Sequence, residues 1–240
     1  METKKLYIEQ FTDFTTGAQV GEYFIKFPPK PALKDIVNYK LPKEKQFFKK
    51  SSYIIDGKEV FPADLIGDAW HSLPENKKKE IYNNEWEKLH NGEWQFINGF
   101  TIFINGYYYF FLNYFKEEEF TPGFWDSQWF SSLITLDSYY DEYVLGLLDI
   151  KRRRAGWSML KNAFAAYVAV VHSKSNIGLM GYNIDDSIQI NFEPIRDCIL
   201  GLPDFLLGEP YLTARQENTL SKEKTAKGMH FSNSKSNIFV

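Results

Sequence analysis

The residues with the clearest chemical potential lie in one segment, residues 151–158, which reads KRRRAGWS. A phosphate group needs backbone N–H donors at a helix N-terminus, a residue that permits close approach, and a cation. Gly156 permits the approach, Ser158 offers a hydroxyl for Mg²⁺, and Lys151 or Arg154 supplies the charge. The segment is therefore a candidate phosphate loop, with a basic turn on a solvated surface as the alternative.

The elements on either side would place this loop between a strand and a helix. Tyr143–Ile150 is an apolar run typical of a buried parallel strand. From Ser158 onward, apolar residues repeat at the i, i+3, i+4, i+7 spacing of a helix with one buried face. Ile177–Tyr182 predicts the next strand, and Asp185 or Asp186 can cap a second helix. This order predicts an α/β fold with a βαβ unit and the phosphate loop at its first turn.

The loop resembles the deviant Walker A motif of the large terminase subunit, the DNA-packaging ATPase of tailed phages. The shared pattern is Lys-x-x-Arg-x-Gly-aromatic-Ser, carried by Lys151, Arg154, Gly156, Trp157 and Ser158. In that family the lysine often stands at the front of the loop. Here Trp157 occupies the place where the common Gly-Lys-Ser ending has its lysine.

The resemblance implies a role for each part of the loop. Lys151 would contact the β- and γ-phosphates of ATP with assistance from Arg154, backbone N–H groups would surround phosphate, and Ser158 would ligate Mg²⁺. A segment upstream of the loop commonly supplies a glutamine to the adenine in this family. The nucleotide-binding residues expected on this basis are Lys151, Arg154, Ala155, Gly156, Trp157, Ser158 and Gln128.

Gln128 suits the adenine because a carboxamide offers both a hydrogen-bond donor and an acceptor. Trp125 or Trp129 would then stack on the adenine ring. The alternative is a buried aromatic cluster in which backbone groups satisfy Gln128.

Two further stretches resemble the same family. Residues 94–114, with their repeated Ile-Asn-Gly and aromatic Leu-Asn-Tyr ending, are similar to the segment before the ATPase core in terminases of Bacteroidetes-type phages, including crAss-like ones. Leu202–Leu206 looks like the Leu-Pro-x-Phe-Leu that follows the second helix in several terminases. The resemblance therefore extends from about Trp94 to Leu206.

The sequence predicts three regions. Residues 1–60 are interpreted as an irregular arm that docks a partner, with a poorly ordered terminus as the alternative. Residues 61–120 combine a helix over Asn76–Leu89 with two or three short antiparallel strands over 91–115, where Asn-Gly pairs separate aromatic runs. Residues 121–240 are predicted to be the front half of a P-loop ATPase domain. The fold class is thus a partial P-loop NTPase preceded by a small, aromatic-rich α+β region.

Three local features complete the prediction. Pro194 should kink or divide the second helix. Thr213–Lys227 is polar and lacks periodicity, which predicts an exposed loop. Gly228–Val240 predicts one more strand, or a hairpin that turns at Ser232 to Ser236.

Composition excludes several classes of protein. Of the 240 residues, 44% are hydrophobic and 25% are charged, which is typical of a globular protein. The net charge of −3 gives no global field for nucleic acid, so a DNA contact would need a local patch such as Lys151–Arg154. The single cysteine, Cys198, excludes an intramolecular disulfide framework. No two histidines have metal-ligand spacing, and the longest apolar stretches are too short to span a bilayer.

A packaging ATPase also needs an apolar strand that ends in Asp-Glu, the Walker B motif, and no such run follows residue 182. The family's nuclease carboxylates are not found either. We therefore expect weak ATP binding, and very slow or no hydrolysis by this chain alone, in a host cytoplasm during phage assembly. The resemblance implies ATP and Mg²⁺ as ligands, and double-stranded DNA, a portal protein and a small terminase subunit as partners of a ring-shaped motor.

Two other functions remain open at this level. The chain is a structural or adaptor protein that keeps a degenerate nucleotide-binding fold, or it is a nucleic-acid-binding module. The second of these would use Lys151–Arg154 and the aromatic stripe Tyr107–Phe111 as a base-stacking surface. The stripe is otherwise interpreted as core.

Overall fold

The computed structural model of the chain describes residues 16–20, 23–41, 47–116, 121–148, 156–207, 228–231 and 234–240. The strands in these residues are β1 (Gly17–Val20), β2 (Tyr23–Lys26), β3 (Asn38–Tyr39), β4 (Tyr53–Ile55), β5 (Lys58–Val60), β6 (Glu93–Ile97), β7 (Phe100–Ile104), β8 (Asn176–Gly178), β9 (Gly228–Phe231) and β10 (Ser236–Phe239). The helices are α1 (Asp68–His71), α2 (Glu75–Asn91), α3 (Gly106–Asn113), α4 (Asp126–Tyr140), α5 (Trp157–Val171), α6 (Ile184–Asp186), α7 (Glu193–Leu200) and α8 (Asp204–Leu207).

The strands form four small sheets, so the fold is a mixed α/β arrangement. β1 and β2 form one antiparallel hairpin, and β4 and β5 form another. β6 pairs with β7 in antiparallel orientation across the Asn98-Gly99 turn, and with β3 in parallel orientation. β10 lies between β8, its parallel partner, and β9, its antiparallel partner. The predicted hairpin at the C-terminal end is therefore present.

The centre of the core is α3, a helix that the sequence predicts incorrectly as a strand. Its residues are buried on every side. Asn105 caps the helix, because its side-chain oxygen accepts a hydrogen bond from the Tyr108 N–H at 2.7 Å. Gly106 sits against α2 so closely that a Cβ atom there would overlap the Leu89 carbonyl oxygen. Two of the predicted strands over 91–115 are β6 and β7, and the aromatic stripe belongs to the core.

Tyrosine hydroxyls on α3 and α5 donate hydrogen bonds to backbone carbonyls of neighbouring helices. Tyr107 donates a hydrogen bond to the Leu160 carbonyl of α5. Tyr167 of α5 donates to the Leu89 carbonyl of α2 at 2.9 Å. The apolar face of α5, predicted from its helical spacing, packs into this core. These bonds fix α5 relative to α2 and α3.

The chain after α5 follows the prediction in part. β8 covers the start of the predicted strand over Ile177–Tyr182. The cap of α6 is Asn183, whose side chain accepts from the Asp186 N–H at 2.8 Å, and not either of the predicted aspartates. A π-helical turn over Ser187–Phe192 leads into α7, and Pro194 lies in the first turn of α7. Pro194 thus divides the helical segment as expected, because proline lacks the N–H that a continuous α-helix needs.

The predicted parallel strand over Tyr143–Ile150 is not formed in its described part. Residues 143–148 are irregular, and all of them except Val144 are exposed. A strand must satisfy its N–H and C=O groups through neighbouring strands, and no strand in the described residues pairs with this segment. The mixed α/β class is therefore confirmed, whereas a P-loop sheet is not formed by the described residues. Asp149 and Ile150, like Thr213–Lys227, lie outside those residues.

Candidate functional site

The candidate site lies at the N-terminus of α5. Gly156 is the N-cap residue and has left-handed backbone angles, φ 68° and ψ 15°. Its carbonyl accepts the first helical hydrogen bond from the Leu160 N–H at 3.1 Å. The N–H groups of Trp157, Ser158 and Met159 therefore precede the first bond of the helix, as at any helix N-terminus. No acidic side chain stands in the first turn of α5, so the helix dipole there favours an anion.

Gln128 of α4 lies directly beside Gly156. Its Nε2 atom is 2.7 Å from the position that a Cβ atom would take on Gly156. Gln128 is buried, with 6% of its surface exposed. Gln128 and Gly156 were both predicted to bind nucleotide, and they are more than twenty residues apart in the sequence. The structure brings them into contact.

The two helices that carry these residues lie side by side and run in the same direction. Beyond the Gln128–Gly156 contact, the Lys161 ammonium donates to the Thr135 hydroxyl at 2.8 Å. Further along, the rings of Tyr139 and Phe164 meet edge to face at 5.7 Å. The N-termini of α4 and α5 therefore open at the same end of the pair, where both helix dipoles are positive.

The two tryptophans proposed for adenine stacking have different environments. Trp129 is fully buried, and its indole N–H donates to the Phe103 carbonyl at 2.8 Å. It belongs to the core and cannot stack on a ligand. Trp125 precedes α4 and is 62% exposed. Its backbone N–H donates to the Tyr108 hydroxyl, and that hydroxyl donates to the Trp125 carbonyl, each at 3.0 Å. Trp125 is the tryptophan that is accessible at this end of α4.

The remaining predicted site residues divide into two groups. Ser158 is exposed and Trp157 is half-buried in the first turn of α5. Lys151, Arg154 and Ala155 lie outside the described residues, so the cationic side of the loop stays a prediction.

A buried carboxylate, which the sequence did not single out, organises a second polar cluster. Glu85 of α2 is completely buried and accepts four hydrogen bonds from hydroxyl groups at 2.5–2.8 Å. The donors are Ser51, Tyr53, Tyr109 and Tyr114. Burial, followed by the nearby Glu85 charge, raises the pKa of all three tyrosines. Four donors use the whole acceptor capacity of a carboxylate, so this cluster is structural.

The sequence carried a signal for this carboxylate. Ile81, Glu85 and Leu89 follow each other at intervals of four along α2, and all three are buried. A glutamate in register with two core residues on one helix face indicates a buried charge. Tyr82, which follows Ile81 directly, is exposed.

Two histidines that are distant in sequence meet at the C-terminal ends of α2 and α5. The rings of His90 and His172 are 6.5 Å apart, and His172 Nε2 lies 3.3 Å from the Tyr140 hydroxyl. Burial lowers the pKa of both imidazoles, and His90 lowers that of His172 further. In the parts of the chain that the structure describes, no three His, Cys, Asp or Glu side chains converge in a way that would hold a metal ion.

Comparison with other proteins provides no independent assignment. No protein-family model matches the chain, no curated protein matches it, and no solved structure matches its fold. Among the described helices, none combines the length and hydropathy needed to cross a lipid bilayer. The features of this chain that point to a function are therefore the loop residues and the geometry around Gly156.

Proposed function

We propose that the chain is the ATP-binding portion of a phage terminase large subunit, the motor that packages double-stranded DNA into procapsids. The observation that carries the proposal is the contact between Gln128 and Gly156 at the N-terminus of α5. The terminase-like pattern over residues 151–158 requires a phosphate-binding glycine at this position, and the upstream glutamine is expected to serve the same ligand.

The residues around Gly156 suit the phosphates of ATP. The left-handed backbone of Gly156 leads directly into the first turn of α5, which carries no acidic side chain, so phosphate oxygens can bond to the N–H groups of that turn. Within the proposal, Lys151 contacts the β- and γ-phosphates and Arg154 assists. The backbone N–H groups of Ala155, Gly156 and Trp157 surround phosphate.

Mg²⁺ would be held through Ser158. Ser158 is an exposed residue in the first turn of α5, which is compatible with this role. When bound, the ion would neutralise charge on the phosphates. Because no Walker B run was found in the sequence, we propose nucleotide binding with hydrolysis that is very slow for this chain alone.

The adenine would lie toward α4. The Gln128 carboxamide is positioned beside Gly156, and the exposed Trp125 ring offers a stacking face at the same end of the helix. The carboxamide offers both the donor and the acceptor that the adenine edge needs.

The finer fold, a partial P-loop NTPase, belongs to the same proposal. β8 follows α5 and pairs with β10 in parallel orientation, and a parallel pair is compatible with an α/β sheet. Residues 143–150 would form the strand before the loop once a neighbouring strand is supplied. A small terminase subunit, a portal protein and other copies in a ring are the partners that this function implies.

A second function, a non-catalytic adaptor, is favoured by one specific observation. Tyr143, Leu145 and Leu148 are more than four-fifths exposed in an apolar segment directly before the loop. Such a segment suits contact with another polypeptide whether or not nucleotide binds.

The experiment that separates the two functions is a titration with a fluorescent ATP analogue and Mg²⁺. The wild-type chain should bind saturably, and Lys151→Ala should abolish binding. Lys174→Ala is the matched control, since Lys174 is an exposed lysine just beyond the opposite end of α5. Absence of binding by the wild-type chain, or equal effects of both variants, would favour the adaptor. Turnover on the order of 1 per second, typical of enzymes, would contradict slow hydrolysis.

A further inference from the structure

The sheet formed by β8, β10 and β9 ends in β8, and the outer side of β8 is unpaired among the described strands. The bonds between β8 and β10 use alternate residues of this part of the chain. The Ser175 carbonyl accepts a hydrogen bond from β10 at 2.7 Å, and the Leu179 N–H donates one to β10 at 2.9 Å. Because successive residues of a strand direct their backbone groups to opposite sides, the N–H and C=O groups of Asn176 and Gly178 point away from β10.

This edge lacks the features that usually prevent strand pairing. Proteins protect open edges with charged side chains, prolines, bulges or a covering segment. Residues 175–184 contain no charged residue and no proline. Asn176 and Gly178 are exposed, and the side chains of Met180 and Tyr182 are almost completely exposed. The structure describes 156–207 without a gap, and none of the strands it describes occupies the outer side of β8.

Opposite charges stand at the two ends of the edge. Lys174, directly before this stretch, is exposed, and Asp185 and Asp186 of α6 follow its other end. α6 lies close to that end, because a Cβ atom on Gly181 would be 2.7 Å from the Ser187 hydroxyl oxygen. Neither Lys174 nor Asp185 forms an ion pair within 4.0 Å with another described residue. Two such edges in antiparallel orientation would place the lysine of each beside the aspartates of the other.

We propose that two copies of this chain associate through β8, in antiparallel orientation across a two-fold axis at Ile177. In this register Asn176 of each copy lies opposite Gly178 of the other, and the two residues exchange both backbone hydrogen bonds. Met180 lies opposite Lys174 of the other copy. The two sheets then form one continuous sheet, and the assembly closes at two copies because both use the same surface.

A second copy suits this edge better than the chain's own apolar segment Tyr143–Leu148. The segment is irregular and does not pair with β8. It also carries no charge, so it offers no partner to Lys174 or to the aspartates of α6. β8 follows the end of α5 that lies opposite Gly156, so the association does not depend on a nucleotide.

Sedimentation equilibrium of the full chain tests the association. We expect a dissociation constant on the order of 100 µM, since the contact of a short strand lies below the roughly 1,200 Å² of a stable interface. Met180→Lys should weaken the dimer by about fivefold, because the symmetry places the new lysine opposite Lys174 twice and exposed pairs are individually weak. Leu145→Lys is the matched control. It makes the same charge change at a completely exposed residue outside the edge, so the dimer should be unchanged.

Three outcomes would overturn the proposal. One is a monomer at all concentrations up to about 1 mM. Another is equal weakening by Met180→Lys and Leu145→Lys, which would indicate an effect of net charge or a contact through Tyr143–Leu148. The third concerns Met180→Glu, which should strengthen the dimer because glutamate would face Lys174 of the other copy. Weakening by Met180→Glu as large as that by Met180→Lys would contradict the antiparallel register.

A second measurement requires no substitution. The amide hydrogens of Asn176 and Gly178 should exchange more slowly at concentrations where the dimer forms than after dilution. The Leu179 amide, which bonds to β10 within one chain, is the internal control and should not change. Concentration-independent exchange at Asn176 and Gly178 would contradict the proposal. Gly156→Val, which should remove ATP binding, should leave the dimer unchanged, so the two proposals can fail separately.

Discussion

Gln128 and Gly156 are neighbours, with the carboxamide Nε2 of Gln128 2.7 Å from the position of an added Cβ on Gly156. Gly156 is therefore needed for two reasons. Its φ of 68° is one that other residues rarely adopt, and its missing side chain leaves room for the buried carboxamide. Together these constraints place a helix N-terminus against a hydrogen-bonding side chain on the adjacent helix.

The two constraints on Gly156 can be measured separately. Gly156→Ala should lower the free energy of unfolding by more than the roughly 1–2 kcal/mol that a left-handed alanine costs. Gly57→Ala is the matched control, because Gly57 has a φ of 77° but no atom within 4 Å of an added Cβ. Urea unfolding of both variants gives the comparison.

A second substitution identifies the source of the difference. Gln128→Ala, added to Gly156→Ala, should remove the excess loss, because it removes the side chain that the new methyl group meets. Equal losses for Gly156→Ala and Gly57→Ala would show that the Gln128 contact has no energetic consequence.

The two tryptophans near the start of α4 should respond oppositely to substitution. Trp129→Ala should lower the free energy of unfolding by about 3–5 kcal/mol, since it opens a cavity and leaves the Phe103 carbonyl without its indole donor. Trp125→Ala should change stability by less than about 0.5 kcal/mol, because its side chain is exposed. Trp125→Ala should instead weaken binding of the ATP analogue by about 1–3 kcal/mol, the usual contribution of a base that stacks on an aromatic ring. Unchanged affinity in Trp125→Ala would exclude that ring from the site.

Glu85 should be the most sensitive polar residue of the core. Glu85→Gln removes the charge and replaces one acceptor oxygen by a donor, so at least one of the four hydroxyl groups loses its acceptor. The expected loss in the free energy of unfolding is about 3 kcal/mol or more, as for other buried charged hydrogen bonds. Glu87→Gln, on the exposed side of the same helix, should stay within about 0.5 kcal/mol of the wild type. A small effect at Glu85 would mean that the hydroxyl groups find other partners.

Acidification should destabilise the fold through His90 and His172. Their pKa values in the folded chain are lowered from the ordinary value of 6.5 by burial, and by their mutual repulsion at His172. The unfolded chain therefore binds protons first as the pH falls. The stability associated with neutral histidines should be complete above about pH 6.5 and should decline below it.

The comparison is between the wild-type chain and His90→Asn/His172→Asn, unfolded in urea at about pH 7.5 and about pH 5. The wild type should lose more stability over this interval than the double variant. Tyr140 and Tyr167 lie against His172, and burial raises the pKa of both, so they stay neutral in this range and do not contribute to the pH dependence. If the wild type and the double variant lose the same free energy of unfolding between the two pH values, the histidine pair is not the cause of the acid destabilisation.

Much of the local structure was predictable because short-range signals decide it. The helical spacing from Ser158 predicts α5, the spacing over Asn76–Leu89 predicts α2, and Asn98-Gly99 predicts the β6–β7 turn. Pro194 divides its helix as a missing N–H requires. The proximity of Gln128 to the loop followed from the resemblance and not from any local pattern.

The failures involve residues whose conformation depends on the rest of the fold. Tyr107–Phe111 has the composition of a strand, yet it forms a helix because it is packed from all sides and capped by Asn105. Residues 143–148 have the composition of a buried strand but lack a neighbouring strand in the described residues. The meeting of His90 with His172, and the tyrosines around Glu85, join distant segments that no spacing along the chain reveals.

The most direct test of the central claim is to locate the bound nucleotide chemically. An acyl-phosphate derivative of ATP transfers its acyl group to a lysine amine beside the phosphates, and mass spectrometry identifies the modified residue. We predict fast labelling of Lys151 that excess ATP prevents and that Gly156→Val abolishes. Preferential labelling of another lysine, or slow labelling of many lysines without protection by ATP, would contradict a nucleotide site at the N-terminus of α5.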